Sequence, residues 1–153
     1  REYERNGITK DGAKMIMAVS GSEVPKFTVI VNGSYGAGTY GMSGRAFGNR
    51  FTWLWPTAKI AVMGPKQIAG VMSIVRRGQA ARQGVEFNEE EDAAVVAMVE
   101  EIQEKGSLAL RATGAISDDG IIDPKDTRMV LGLGLSAAMN APIEKTDYGV
   151  FRM

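Results

Sequence analysis

The chain is 153 residues long, with 19 glycines, no histidine, no cysteine, and 18 acidic side chains balanced by 18 basic ones. These counts exclude a Ser-His-Asp or Cys-His nucleophile, an imidazole general base, a disulfide framework and any thiolate-held zinc or iron–sulfur site. Catalysis here must use carboxylates, Lys, Tyr, backbone amides or groups that arrive with a substrate.

In chain order, the spacing of Ile8, Ala13, Ile16 and Val19 predicts a helix from Gly7 to Ser20, closed by Pro25. Lys26–Val31 is short, apolar and β-branched, the pattern of a buried parallel strand. Residues 32–48 then hold Gly33, Gly36, Gly38, Gly41, Gly44 and Gly48 and are expected to be a loop. Phe51–Trp55 and Lys59–Met63 read as strands, and Gly64-Pro65 opens a helix that should fray near Gly78, with Ile68, Val71, Met72 and Val75 facing inward. Asn88 caps the next helix; Glu89–Asp92 occupy its first turn, Val95, Met98, Val99 and Ile102 its inner face, and Gly106 ends it. Leu108–Ile116 is ambiguous and leans towards strand. Asp118-Asp119-Gly120 is a turn, Ile121-Ile122 a short strand, and Asp123-Pro124 caps a last helix to about Asn140. Gly132 and Gly134 cost that helix about 1 kcal/mol each against Ala, which close packing would explain. Pro142–Met153 is irregular. Strands alternate with helices, so the class is α/β.

A chain of this length suits one domain, and a 44% hydrophobic content argues against disorder. No apolar run approaches the roughly 20 residues that cross a bilayer. The start at Arg1, without initiator Met or signal-like stretch, leads us to expect a processed or partial chain. Net charge zero conceals a separation. Residues 24–85 contain no acid and eight bases, Lys26, Arg45, Arg50, Lys59, Lys66, Arg76, Arg77 and Arg82, whereas residues 86–153 contain 14 acids and six bases. Mutual neutralisation in the fold and an anion-facing middle segment are both open readings. Nucleic acid is disfavoured, because the bases are dispersed and no finger or RNP-like motif accompanies them.

Gly36-Ala-Gly38-Thr-Tyr-Gly41 matches G-x-G-x-x-G after a strand, but a dinucleotide site should open a regular helix and meet an acid about 20 residues later. Gly44 and Gly48 spoil the helix, and no acid lies between the motif and Glu86. Tight turns are one alternative. The other is backbone that approaches a ligand and points successive N–H groups at it, an oxyanion hole that needs no ionisable side chain. Asp118 and Asp119 before a glycine read as a solvated turn rather than an acid/base pair. Glu89–Asp92 fan around one helical turn and do not form a metal cluster. Ser34 and Ser43 have no base to activate them, and Trp53 and Trp55 share a strand face suited to core or interface.

Several segments resemble, in order and over essentially the whole chain, the carboxyltransferase β subunit of biotin-dependent acyl-CoA carboxylases. They are Gly12-Ala-Lys14 with Val24-Pro25, Gly33 to Met42, Gly44-Arg45-Ala46, Phe51 to Pro56 and Ala61 to Gly64. Asp118 to Pro124, Asp126-Thr127-Arg128 and Gly149 to Met153 complete the set. The methylcrotonyl-CoA and geranyl-CoA carboxylase branch is more similar than the propionyl-CoA branch. The resemblance implies a crotonase (ClpP/crotonase-like) β-β-α superhelix, with residues 1–153 forming most of the C-terminal carboxyltransferase domain without its opening strands. The N-terminal carboxyltransferase domain would be absent.

It further implies transfer of a carboxyl group from carboxybiotin to an acyl-CoA, with the biotin ureido nitrogen as base, so that the protein need supply only oxyanion stabilisation, orientation and dryness. By the same likeness, the amides of Ala37 and Gly38 are the biotin-side oxyanion hole, Tyr40 lines the acyl pocket, and Tyr35, Gly36 and Gly41 shape the substrate approach. Thr39 stands where the family usually has Asn, and Ser43 where Cys is common. Implied partners are a biotin carboxylase and carrier subunit, acyl-CoA, and other copies in a hexamer whose active sites lie between subunits. No metal, nucleic acid or membrane span is implied, and the compartment would be bacterial cytoplasm or mitochondrial matrix. A biotin-dependent decarboxylase subunit and a non-catalytic assembly scaffold of the same fold are the competing readings.

Overall fold

The computed structural model describes residues 2–149; Arg1 and residues 150–153, with most of the Gly149–Met153 motif, lie outside the described residues. Helices α1 (Glu2–Arg5) and α2 (Ile8–Gly21) lead into strands β1 (Phe27–Ile30) and β2 (Gly33–Tyr35). A single turn of helix, α3 (Gly38–Gly41), and a 3-10 turn at Arg45–Phe47 precede β3 (Phe51–Leu54) and β4 (Lys59–Ala61). Helices α4 (Pro65–Gln83), α5 (Glu89–Gly106) and α6 (Ala109–Gly114), a 3-10 turn at Pro124–Asp126, and α7 (Thr127–Ala138) follow.

β1 pairs in parallel with β3, from Phe27 opposite Phe51 to Ile30 opposite Leu54. β2 pairs in parallel with β4, from Gly33 opposite Lys59 to Tyr35 opposite Ala61. Parallel neighbours require a long connection, and the glycine-rich stretch 36–50 lies within the connection of both pairs. Strand alternation sends Phe27, Phe51 and Trp53 to one face, where their rings stack with centroids 5.0–6.1 Å apart. The other face carries Ile30 and Leu54, which form the core with Ala58 and with Ala109 of α6, against Ile60, Ala112 and Ile121.

α7 crosses the aromatic layer at Gly134, where a Cβ would lie 2.8 Å from the Trp53 ring and 3.3 Å from that of Phe27. Trp55 Nε1 donates to Thr127 Oγ1 at 3.0 Å, so both tryptophans meet this helix. Close packing thus accounts for Gly134 but not for Gly132, whose added Cβ would meet nothing within 4 Å. Gly134→Ala is expected to destabilise the protein by about 1–3 kcal/mol through overpacking. Gly132→Ala should stabilise it by up to about 1 kcal/mol. Urea midpoints of the two variants check the contrast.

Several elements differ from expectation for local reasons. Gly33–Tyr35 is a strand, because pairing with β4 outweighs the glycine, and the bond from Gly36 N–H to Ala61 O (3.1 Å) closes that ladder before Met63. Ala109–Gly114 is helical rather than strand-like; only Leu108 bridges to Lys59, and its extended ψ of 148° begins the turn. Ile121 contributes a single bridge to Leu54 instead of a strand. α4 runs past Gly78 to Gln83 and stops at Gly84, whose φ of 67° turns its N–H onto Ala80 O. Asp123 caps the 3-10 turn through Lys125 N, so α7 begins at Thr127 and ends at Ala138.

The inward faces of α4 and α5 are the larger correction. Ala69 is the fully buried residue of α4, while Val71, Met72 and Val75 stay 47%, 42% and 48% exposed; on α5, Met98 and Ile102 are exposed as well. The two helices meet instead through Ser73 and Arg76, which both bind the buried Asp92. Asn88 does cap α5, accepting from Glu90 and Glu91 N–H at 3.1 Å each. Four of the eight bases pair with acids of the later segment: Arg45–Asp119, Lys59–Glu104, Arg76 with Glu91 and Asp92, and Arg77–Glu89. The hydrogen bond to Glu104 holds the Lys59 ammonium above its ordinary pKa, and Glu89 does the same for the Arg77 guanidinium.

Candidate active site

The chain leaves β2 at Tyr35 and turns sharply at Gly36, which has a φ of 71°. A Cβ at Gly36 would also press to 3.3 Å from Val62 O. Ala37 returns to right-handed geometry (φ −63°, ψ −23°), and α3 winds from there. Its bonds run from Thr39 N–H to Gly36 O, from Tyr40 and Gly41 N–H to Ala37 O, and from Met42 N–H to Gly38 O, at 3.0–3.2 Å. The N–H groups of Ala37 and Gly38 precede all of these donors and have no acceptor among the described residues. A left-handed residue followed by a right-handed one turns successive N–H groups to one side, the geometry of an anion-binding nest.

The glycines of this turn differ in what they touch. A Cβ at Gly41 would collide with the Met15 methyl at 2.6 Å, because α2 lies directly over it. At Gly44 the obstacle is backbone, with Tyr40 Cα 2.8 Å and Thr39 O 2.9 Å away. At Gly38 a Cβ would meet nothing within 4 Å, and the φ there is not positive. Neither packing among the described residues nor backbone conformation therefore requires glycine at 38.

Beside the turn opens a cavity of about 530 Å³, walled by the edge and one face of β1 and by Ser34, Thr39, Tyr40, Met42, Gly44 and Arg45. Tyr40 is half exposed and tilts onto Phe47, with ring centroids 5.7 Å apart. Ser34 Oγ and Thr39 Oγ1 stand 2.8 Å apart and fasten α3 to β2 across the turn. Arg45 reaches Asp119 Oδ1 at 3.2 Å, while Asp119 Oδ2 accepts from Thr52 N–H and its own N–H donates to Thr52 O, each at 2.8 Å. Asp118 is buried and accepts from Thr113 Oγ1 and Gly120 N–H. The Asp-Asp-Gly turn therefore clamps the sheet edge to the glycine-rich connection; Asp119 keeps the solvent exposure expected of the turn, whereas Asp118 is buried within it. Ser43 adopts a φ of 64°, with its hydroxyl buried and without a partner, while its carbonyl accepts from Thr28 Oγ1 at 2.7 Å.

Of the residues implicated by resemblance, Tyr35, Ala37, Gly38 and Tyr40 lie together on the exposed rim of the turn, Gly36 is half-buried between them, and Gly41 is buried beneath α2. Sequence reasoning passed over Ser34, Thr39, Arg45 and Asp119 as members of this neighbourhood. Ser34 has no base beside it in the sequence, Thr39 stands out only as a departure from the family's usual Asn, and the Arg45–Asp119 pair spans 74 positions that no local pattern connects.

Comparison with known proteins decides the family. A profile described as the carboxyl transferase domain matches residues 1–150. The chain belongs to the carboxyl transferase family. Over its full length it is 50% identical to the probable mitochondrial methylcrotonoyl-CoA carboxylase beta chain of Drosophila melanogaster, of which it covers 26%. It superposes on the beta subunit of P. aeruginosa geranyl-CoA carboxylase with a TM-score of 0.83 and 36% identity, covering 100% of this chain and 29% of that one. The transcarboxylase 12S subunit, solved as a hexamer with methylmalonyl-coenzyme A bound, gives a TM-score of 0.76 at 30% identity, covering 99% of this chain and 27% of the other. The chain thus spans under a third of the length of these relatives. Its α/β fold is that of crotonase-type carboxyltransferases, and the resemblance to the methylcrotonyl-CoA and geranyl-CoA branch holds. Among the described residues, no helix is long and apolar enough to cross a membrane, and no group of three His, Cys, Asp or Glu side chains is placed to hold a metal.

Proposed function

We propose that this chain forms the biotin-side half of an acyl-CoA carboxyltransferase site. Its reaction is transfer of a carboxyl group from carboxybiotin, held on a separate carrier, to methylcrotonyl-, geranyl- or another short enoyl- or acyl-CoA. The observation that carries the reading is the pair of N–H groups at Ala37 and Gly38, unpartnered among the described residues and set at a glycine that none of those residues requires. Such donors act on an oxygen that gains negative charge as the transition state forms, each worth roughly 2.7–4 kcal/mol when aimed correctly. The turn at Gly36 and the Ser34–Thr39 bond set these donors before any ligand arrives, so little reorganisation is needed on binding. Carboxybiotin, when bound, supplies both the carboxyl group and a basic ureido nitrogen, chemistry for which the chain has neither His nor Cys. Tyr40, on the cavity wall, shapes the space for the acyl chain, and Tyr35 and Gly36 flank the approach.

Ala37 and Gly38 are exposed here, whereas oxyanion stabilisation needs a dry site. A second surface must close over the turn. α4 exposes Val71, Met72 and Ile74, and α7 exposes Met129, Leu133 and Leu135, apolar side chains that such a surface would cover. In this reading residues 1–153 are most of a C-terminal carboxyltransferase domain, and an N-terminal domain of another subunit in a hexamer completes the site and holds CoA.

The test is carboxylation by the full-length protein with a biotin carboxylase and biotinylated carrier, across methylcrotonyl-, geranyl-, propionyl- and acetyl-CoA. Branched enoyl thioesters are expected to lead. The isolated 153 residues are expected to show negligible transfer, because the CoA-binding half is missing. Absence of transfer to every thioester by the assembled protein would reject the proposal in favour of a scaffold. Carboxylated thioester consumed without any forward carboxylation would favour a decarboxylase.

A further inference from the structure

The Ser34 and Thr39 hydroxyls stand 2.8 Å apart, both half-buried and both on the wall of the 530 Å³ cavity. Two hydroxyls carry two protons, and their mutual bond uses one of them. Whichever oxygen donates within the pair, the other retains an O–H for which the described residues offer no acceptor. A half-buried hydroxyl proton of this kind is met by water when the cavity is open, and a ligand that displaces the water can take its place as acceptor. Thr39 follows Gly38 directly and Ser34 precedes the turn, so the couple brackets the segment whose Ala37 and Gly38 amides are also unpartnered.

The geometry points to the Ser34–Thr39 couple as a further hydrogen-bond donor, delivered to a carbonyl-type oxygen of the ligand lodged in this cavity. The inference rests on the proposed carboxyltransferase reading and adds to the two amides a side-chain donor that the resemblance does not supply. In the couple one hydroxyl faces the ligand and the other orients and polarises it; neither needs a base, since no proton is abstracted. A ureido carbonyl and a thioester carbonyl present the same acceptor chemistry, and the test separates them.

The experiment uses the full-length protein with its carboxylase and carrier, comparing Thr39→Val, Ser34→Ala, their double variant and Thr39→Ser. The single variant that removes the ligand-facing hydroxyl should lower kcat about ten- to hundredfold, and the other by less. The double variant should be no worse than the larger single loss, within about threefold, as expected for groups that act as a unit. Thr39→Ser should retain near wild-type kcat, and melting temperatures should stay within a few degrees throughout. In the reverse direction, with free biotin as carboxyl acceptor, a rise confined to the KM for biotin assigns the oxygen to the ureido group. A rise confined to the KM for the CoA ester assigns it to the thioester. If the wild-type protein turns over and neither single variant lowers kcat by more than twofold, the couple is not a donor and the proposed function stands without it. Losses that multiply in the double variant and track falling melting temperatures would show a merely structural pair. An inactive wild-type assembly would remove the proposed function and this inference together.

Discussion

Valine at Gly38 is expected to lower carboxyl transfer by the full-length assembled protein at least a hundredfold while leaving folding and assembly intact. The expectation rests on the contrast among the glycines of the turn. At Gly44 an added Cβ meets backbone at 2.8 Å, and at Gly36 the left-handed conformation itself resists a side chain, so substitution at either would disturb the turn before it tested any chemistry. Gly38 has open space around the position of a Cβ and an ordinary φ, so the turn tolerates a side chain there. A ligand oxygen approaching the Gly38 N–H does not tolerate it, because the branched side chain occupies the space beside the donor. Loss of a single aimed donor corresponds to roughly 10²–10³ in kcat. Steady-state kcat, with melting temperature and gel-filtration volume as controls, checks the outcome. Turnover within threefold of wild type would sink the oxyanion assignment, since the variant leaves every contact of Gly36, Gly41 and Gly44 in place.

How far the sequence predicted these features depends on how local the physics of each is. α5 was readable because Asn88, the acids behind it and Gly106 are all within one segment, and the cap is made as expected. β1 and β3 were readable as apolar β-branched or aromatic runs, but their pairing, Phe27 opposite Phe51, is a contact across 24 positions that composition does not encode. β2 was hidden by Gly33, since strand propensity there is weak and pairing with β4 makes the strand. The inner face of α4 was misassigned for a more informative reason. Val71, Met72 and Val75 form an apolar stripe, and periodicity alone takes any such stripe as facing the core. In the structure that stripe is half exposed and the polar side of the helix, through Ser73 and Arg76, meets α5. A sequence shaped for burial against something outside this chain carries the same signal as one shaped for its own core. The candidate site divides in the same way. The amides at 37 and 38 were accessible through glycine density and the ordered resemblance. The Ser34–Thr39 bond and the Arg45–Asp119–Thr52 clamp were not, because they are defined by turn geometry and by strands brought together from distant positions.

Asp92→Ala should destabilise the protein by about 3 kcal/mol, the low end of the 3–5 kcal/mol that follows removal of one partner from a buried ion pair. Asp92 is only 3% exposed. Its carboxylate accepts from Ser73 Oγ and pairs with Arg76 at 3.0 Å, and it sits in the first turn of α5, where negative charge opposes the helix dipole favourably. Alanine would leave the Ser73 hydroxyl without its acceptor and a half-buried guanidinium with only the exposed Glu91, at 3.2 Å. That residual partner places the cost at the low end. Glu91→Ala removes only an exposed contact and should stay within about 0.5 kcal/mol of wild type. Asp92→Asn keeps an acceptor for Ser73 while losing the charge and should fall between the two. Because α4 and α5 pack chiefly on each other, the loss should concentrate there. The far end of α5 is still tied to β4 by Ile60 N–H to Ser107 O at 2.8 Å and by the Lys59–Glu104 pair. Amide exchange in Asp92→Ala should therefore rise most in the Ser73 to Asp92 region, where α4 passes into α5, and least in β1 and β3. Equal acceleration across the whole chain would show that the hairpin has no independent stability. An unchanged urea midpoint would show that the buried pair contributes nothing net.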